Sequence, residues 1–378
     1  MSVPRAVRRG RPELYSDYAA DMALLNTPAK RAWSAAILVA AVALPLLLDR
    51  DLLGLATQVV VYALAGIGLN LIAGYAGQLS LGHAFFMGLG AYTAALLGGT
   101  GGATVRGYEL DLLVWLPMAG VVPAVFGWVV APLAARVKGL YLAILTLGLL
   151  FVGEHVFKEA SWLTGGSGLG RAPAEAVVLG FDLYEARVLL GREIPAEGVF
   201  YLFCLILLVV LGVLARNLAR SRTGRAFAAV RDRDIAAEVM GVPLVRTKRL
   251  AFTLSSFYAG VAGALLTVLL GYTTPERWNL LLSIDFLAVV LIGGVATVTG
   301  PIAGAAFVVL MPRFIETFAG SLPFIAGTVG APGILNVFQL QRMLFGVMIV
   351  VFLVLEPRGL FGVWIRVRNY FRAWPFSY

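Results

Sequence analysis

Residues 250–271 read LAFTLSSFYAGVAGALLTVLLG, an uncharged run preceded directly by Arg246, Lys248 and Arg249. At about 1.5 Å of rise per residue, a helix of that length reaches roughly 30 Å, the hydrocarbon thickness of a bilayer. Lipid offers the backbone no hydrogen bonds, so such a run must close its own as a helix. Two further blocks, Ala32–Leu48 and Leu112–Ala135, repeat the pattern. The whole composition agrees: of 378 residues, 60% are hydrophobic and 13% charged, and the mean hydropathy is +0.87. Soluble chains carry roughly a quarter charged residues. These observations exclude a soluble enzyme and define an all-α polytopic membrane protein.

Outward from that run, spans are predicted at about 32–48, 52–73, 81–99, 112–135, 139–157, 198–215 and 342–357. The block 283–311 is too long for one span and is interrupted by Gly293-Gly294 and Thr299-Gly300-Pro301. Dividing it into 283–295 and 301–316 gives about ten transmembrane helices, the first half short enough to be re-entrant. Charge sets their direction. Segment 216–249 holds nine bases and three acids, whereas 158–197 holds four bases and six acids. Basic loops stay inside, so 216–249 is expected in the cytoplasm and 158–197 outside. Residues 1–31 hold six bases and three acids, with no small-residue cleavage site after a short apolar run. They read as a retained cytoplasmic tail. Arg366, Arg368 and Arg372 put 363–378 in the cytoplasm too, leaving 32–362 as the transmembrane domain.

A second Gly-rich interruption, Gly74-Tyr75-Ala76-Gly77-Gln78, precedes the third span. Broken regions in both halves of a chain fit an internal duplication whose irregular backbone lines a cavity. Small residues at four-residue spacing mark close helix contacts, either inside one subunit or across a dimer seam. They are Ser255, Ala259 and Gly263; Gly90, Ala94 and Gly98; and Gly300 and Gly304.

Several chemistries are excluded. The net charge is +9, but the bases sit in short connectors, where orientation signals belong, so no nucleic-acid partner is expected. A single cysteine, Cys204, allows no internal disulfide, and two histidines, His83 and His155, cannot build a multi-histidine metal site. The four lysines are followed by Arg, Gly, Glu and Arg, so no GxxxxGK[ST] loop exists to hold ATP phosphates. No catalytic, cofactor-binding or metal residue is assigned.

The most informative connector is SRTGRAFAAVRDRDIAAEVMGVPLVRTKRL, residues 221–250. It predicts a helix at about 224–231 capped by Thr223, and a second at about 235–240 capped by Asp232 or Asp234. Gly241 supplies a left-handed terminator and Pro243 prevents continuation. Phe227, Val230, Ile235, Ala236, Val239 and Met240 give the pair an apolar side. Such a face could lie on anionic lipid headgroups. A compact, doubly capped, acid-containing loop suits docking into a protein groove better.

The run Gly-Tyr-Ala-Gly-Gln-Leu-Ser-Leu-Gly-His-Ala-Phe-Phe at 74–86 resembles the LivM-type permease of branched-chain amino-acid ABC importers. So do Thr164-Gly165-Gly166-Ser167-Gly168-Leu169, the 221–249 loop, Gly293-Gly294 through Gly300-Pro301, and Glu356-Pro357-Arg358-Gly359-Leu360. The resemblance covers about residues 50–362 in order; loop 179–197 and segment 317–340 match weakly. It implies a ten-helix permease subunit in the cell membrane that has no ATPase of its own. Its implied partners are a second related permease, two cytoplasmic ATPase subunits that bind the ATP, and an extracytoplasmic solute-binding protein. Residues 224–241 match the family's cytoplasmic coupling segment. The residues implied there are Arg225, Phe227, Arg231, Asp232, Ile235, Ala236, Ala237, Glu238, Met240 and Gly241.

Polar groups at membrane depth are costly, so each needs a reason. Asn70, Gln78, Ser80 and His83 cluster at the first broken region. They are candidates to line a passage for a zwitterionic solute; helix-to-helix hydrogen bonding is the competing role for each. A secondary amino-acid transporter would be expected to bury coupling acids in mid-span, whereas the acids here are few and near span ends. A channel would need a carbonyl filter such as TVGYG, which is absent. A membrane-embedded enzyme lacks paired carboxylates at one depth. Related permeases that carry urea or short amides remain an alternative to branched-chain amino acids.

Overall fold

A computed structural model of the chain describes residues 28–102, 105–137, 139–168, 170–189, 192–319, 325–326, 335–356 and 359–373. Residues 1–27 and 374–378 of the expected tails, Leu169, and Pro357 and Arg358 of the C-terminal motif lie outside the described residues.

The described part of the chain begins with α1 (Pro28–Ala43), extended by a 3-10 turn, Leu44–Leu46. α2 (Arg50–Asn70) unwinds into a π turn, Leu71–Tyr75, and is followed by α3 (His83–Gly98), α4 (Leu112–Arg136), α5 (Leu140–Glu159) and the single turn α6 (Ser161–Thr164). Two small antiparallel hairpins pair Val177–Val178 with Phe181–Asp182 and Arg187–Leu189 with Arg192–Ile194. Then come α7 (Ala196–Arg220), α8 (Arg222–Asp232), α9 (Asp234–Val239), α10 (Leu244–Leu270), α11 (Leu280–Gly293) and α12 (Gly300–Ala319). The chain closes with α13 (Val337–Leu355) and α14 (Gly359–Ala373). A two-residue parallel pairing joins Ile325–Ala326 to Leu335–Asn336.

Among the described residues five helices are long and apolar enough to cross a membrane: Arg50–Tyr75, Leu112–Ala134, Leu140–Glu159, Ala196–Arg220 and Leu244–Leu270. Shorter apolar helices are Arg31–Leu46, His83–Gly98, Gly300–Ile315 and Met343–Phe352. Adding α11 gives one helix for each expected crossing, and the long block does divide at Gly293 and Gly300. α11 has only 14 residues, about 21 Å at 1.5 Å each, and so falls short of a full bilayer. α14 begins before residue 363, continues beyond it, and packs on α11 and α12.

α10 is the central post, packed against α4, α3 and α2. Its small residues let neighbouring backbones touch. A Cβ on Gly260 would sit 2.1 Å from the Ala119 carbonyl, and one on Gly263 would sit 2.0 Å from that of Met87. Gly90 faces Gly260, and Gly304 faces Val289, so these stripes seal helices within one subunit. The choice between internal packing and a dimer seam is thereby decided for them.

The connector after α5 is organised by Arg171, which the sequence reading passed over. It is buried, and its guanidinium donates to three carbonyls: Leu163 at 2.6 Å, Ala95 at 2.5 Å and Arg106 at 3.0 Å. Desolvation by burial holds its pKa below the usual arginine value. Trp278, fully buried, donates to Thr273 at 3.1 Å beside the Arg171–Thr273 backbone bridge. Loop and helix ends are thus tied across the end of the bundle remote from 216–249.

Candidate functional site

The first broken region is built around two glycines. At Gly74 an added Cβ would fall 1.8 Å from the Asn70 Oδ1, and Gly77 has φ +67°, the left-handed region that favours glycine. α2 therefore ends as a π turn and passes through an irregular stretch to α3, whose first turn is capped from elsewhere. Ala84 donates its amide to Ser283 Oγ on α11 at 3.0 Å, and Leu81 donates to Thr146 Oγ1 on α5 at 2.9 Å. These bonds satisfy orphan amides that lipid could not.

The second broken region, Gly294 to Thr299, is held by the first. Asn70 Oδ1 accepts from the Ala296 amide at 2.9 Å, and Asn70 Nδ2 donates to the Thr297 carbonyl at 2.5 Å. Ala296 has φ +59°, a conformation that costs a non-glycine residue of order 1 kcal/mol or more and persists only where neighbours impose it. Thr297 Oγ1 donates to the Gly294 carbonyl at 2.8 Å and accepts from the Gly300 amide at 3.0 Å, bracing the start of α12. Gly359, φ +62°, packs on the same turn: a Cβ there would lie 2.5 Å from the Ile292 carbonyl. That contact explains the glycine of the C-terminal motif.

The 216–249 connector sits directly on the first break. Phe227 of α8 is 0% exposed and clusters with Ala76 and Ala251, with Tyr75, Leu218 and Leu254 packed around them. Arg231 donates to the Gly74 carbonyl at 3.2 Å, while its Nε pairs with Asp232 at 3.0 Å. A Cβ on Gly77 would strike the Arg231 side chain at 2.6 Å. One connector thus touches the break through an aromatic ring, a guanidinium and a backbone contact. α9 and its C-cap, by contrast, bury only Ala237 and leave the larger apolar residues outside: Ile235 is 69% exposed, Val239 82% and Met240 84%. Beside it, Arg249 stacks over Trp128 at 4.9 Å in a groove that Glu238 and Pro243 also line.

The helix caps differ from the sequence expectation. Ser221, not Thr223, caps α8, its Oγ accepting from the Gly224 amide at 3.4 Å, because α8 begins two residues earlier than read, at Arg222. Neither Asp232 nor Asp234 caps α9. The position falls to Arg233, Asp232 is drawn to Arg231, and Asp234 is the first helical residue, bonding the Ile235 amide at 2.9 Å. Gly241 ends the segment at φ +85°, as its position required.

The ten residues that the family resemblance implied for a coupling segment divide into two groups. Phe227 and Ala237 are buried and Arg231 is tethered inward; Arg225, Asp232, Ile235, Ala236, Glu238, Met240 and Gly241 are exposed. Of the passage candidates, Asn70 spends both ends of its amide on backbone, and Ser80 Oγ accepts from the Gly82 amide at 3.4 Å. Gln78 Nε2 and His83 Nε2 are buried with no hydrogen-bond partner, the His83 ring lying edge-on to Phe286 at 5.5 Å. All four candidates belong to or flank the break; only Gln78 and His83 retain an unused polar atom. Among the described residues no three of His, Cys, Asp and Glu come together as a metal site.

Apolar helices, two of them interrupted and joined at their interruptions, with a helical connector seated on one break, are the parts of a transporter's membrane unit. Residues 52–353 match the family described as branched-chain amino acid transport system / permease component, and the chain belongs to that family. The chain is 32% identical over 306 residues to the high-affinity branched-chain amino acid transport system permease protein LivM of Salmonella typhimurium, covering 78% of this chain and 70% of that protein. The same figures describe its likeness to LivM of Escherichia coli. It is 29% identical over 242 residues to the autoinducer 2 import system permease protein LsrC of an Enterobacter species, covering 61% of this chain and 64% of that one. No solved structure matches the chain. The molecule is a permease subunit of an ABC importer, a transport subunit rather than an enzyme.

Proposed function

We propose that this chain forms the passage for a zwitterionic amino acid with a branched apolar side chain, and that it moves by alternating access driven from separate ATPase subunits. In this reading two such ATPases bind the ATP in the cytoplasm. A second, related permease completes the membrane unit, and an extracytoplasmic solute-binding protein delivers the solute. The chain lies in the cell membrane with both termini and 216–249 inside and 158–197 outside, as the charge asymmetry favours. The observation that carries the mechanism is the seat of α8 on the first break, with Phe227 buried and Arg231 bonded to Gly74. A partner gripping α9 and pulling it would move α8, and through Gly74 and Asn70 both helix breaks would move together. Discrete packed contacts of this kind transmit motion because a close-packed interface switches between arrangements rather than stretching.

The test is uptake of labelled leucine, isoleucine, valine and urea into vesicles holding the whole complex, with and without ATP. ATP-dependent uptake of the three amino acids with urea excluded is the expected result. Uptake of urea alone would replace the solute reading with its alternative, and uptake driven by a sodium or proton gradient without ATP would end the mechanism.

A further inference from the structure

At the end of the bundle opposite 216–249 lies a cavity of about 910 Å³, bounded by the starts of α2, α7 and α11, the later turns of α12, and Phe345 of α13. Ligand sites occupy about 300–1,000 Å³, so the space suits a small solute and its water. Its chemistry is of two kinds. Asp285 and Arg313, from packed helices, put both signs of charge on its lining, and Arg50 and Glu197 add an ion pair at 3.9 Å near the helix starts. Leu55, Ile284, Val308 and Val309 supply an apolar wall. Gln58 and Tyr62 follow on successive turns of α2. Tyr62 packs on Phe286 at 4.7 Å, and Phe286 meets the ring of His83. The aromatic pair therefore separates the cavity from the first break.

The geometry points to this cavity as a solute-holding site of the permease itself, one that takes a free amino acid with an apolar side chain. The α-ammonium would pair with Asp285, the α-carboxylate with Arg313, and the side chain would lie on the Leu55, Ile284 and Val308 wall. A purely cationic solute meets Arg50 and Arg313, and a purely anionic one meets Asp285 and Glu197; a zwitterion finds an opposite charge for each of its ends. A neutral amide has no use for either charge and leaves the apolar wall wet. The Tyr62–Phe286 pair is then the barrier the solute must pass before it reaches the unpartnered nitrogens of His83 and Gln78. The inference rests on the proposed amino-acid import and adds to it a place and an orientation.

The experiment uses the full complex in vesicles. The native thiol, which is buried, is replaced (Cys204→Ala), and a reporter is placed on the wall (Ile284→Cys). A water-soluble maleimide added from the outer side should label the reporter. Leucine should slow that labelling at least tenfold, and urea should leave it unchanged. Adding Asp285→Asn should raise the leucine concentration needed for protection about tenfold, as loss of one charge-assisted contact predicts. If the reporter complex takes up leucine but leucine leaves labelling unaltered, the cavity is not the site, although amino-acid import stands. Protection that Asp285→Asn does not shift also overturns the assignment, because leucine would then act from elsewhere. Failure of the unsubstituted complex to transport any of the three branched-chain amino acids overturns both the import reading and the cavity.

Discussion

α8 and α9 are adjacent in sequence and opposite in use. α8 buries Phe227 completely and sends Arg231 to the Gly74 carbonyl, so it belongs to the membrane domain. α9 is six residues long; it packs inward through Ala237 but shows Ile235, Val239 and, at its C-cap, Met240 to solvent. An apolar group left in water forgoes roughly 25 cal/mol per Å² of burial, a cost that a partner would recover. The contrast teaches that one amphipathic segment can hold an inward anchor and an outward handle. The two roles must be tested separately.

The sharpest break of this comparison comes from below the anchor. Gly74→Ala places a Cβ on Asn70 Oδ1 and against the Ala296 amide, so the weld between the two broken regions cannot form. Uptake is expected to fall more than tenfold, with reduced recovery of folded chain in detergent. Next comes Phe227→Ala, which empties a fully buried aromatic site and should cost about 3–5 kcal/mol of local packing. Proteolysis within 221–243 should accelerate while the ATPase still co-purifies. Asn70→Ala leaves the Ala296 amide and the Thr297 carbonyl unpaired at about 1–3 kcal/mol each. Thermal unfolding should shift downward, and transport should fail before assembly does. Val239→Asp touches nothing inside the chain, so the stability of the subunit should change by less than about 0.5 kcal/mol. Co-purification of the ATPase should nevertheless be lost. Gln78→Leu removes one unpartnered amide and should lower uptake with no effect on ATPase assembly; unaltered uptake would take Gln78 out of the passage.

Much of this architecture was legible in sequence because lipid simplifies the problem. Apolar runs of span length must be helices. The division of 283–311 at Gly293 and Gly300 follows the same logic, since glycine pairs mark where a helix can stop. What could not be read were contacts between residues far apart in the chain. Nothing near Asn70 announces that its amide closes on Ala296 and Thr297, 226 and 227 positions away. Arg231 read as a docking charge, because a basic residue on an amphipathic loop usually faces solvent; its real partner, the Gly74 carbonyl, lies 157 positions earlier. The caps were misplaced for a local reason: Ser221 and Thr223 both fit, and starting α8 two residues earlier decides between them. Asp285 and Arg313 line one cavity because α11 and α12 pack against each other, which no local sequence pattern announces.

The most direct test of the account is the coupling ratio, solute moved per ATP hydrolysed, in vesicles holding the complete complex with Arg231→Gln. If Arg231 carries motion from the handle to the first break, hydrolysis should continue while leucine transported per ATP drops at least fivefold. A ratio equal to that of the unsubstituted complex would contradict it.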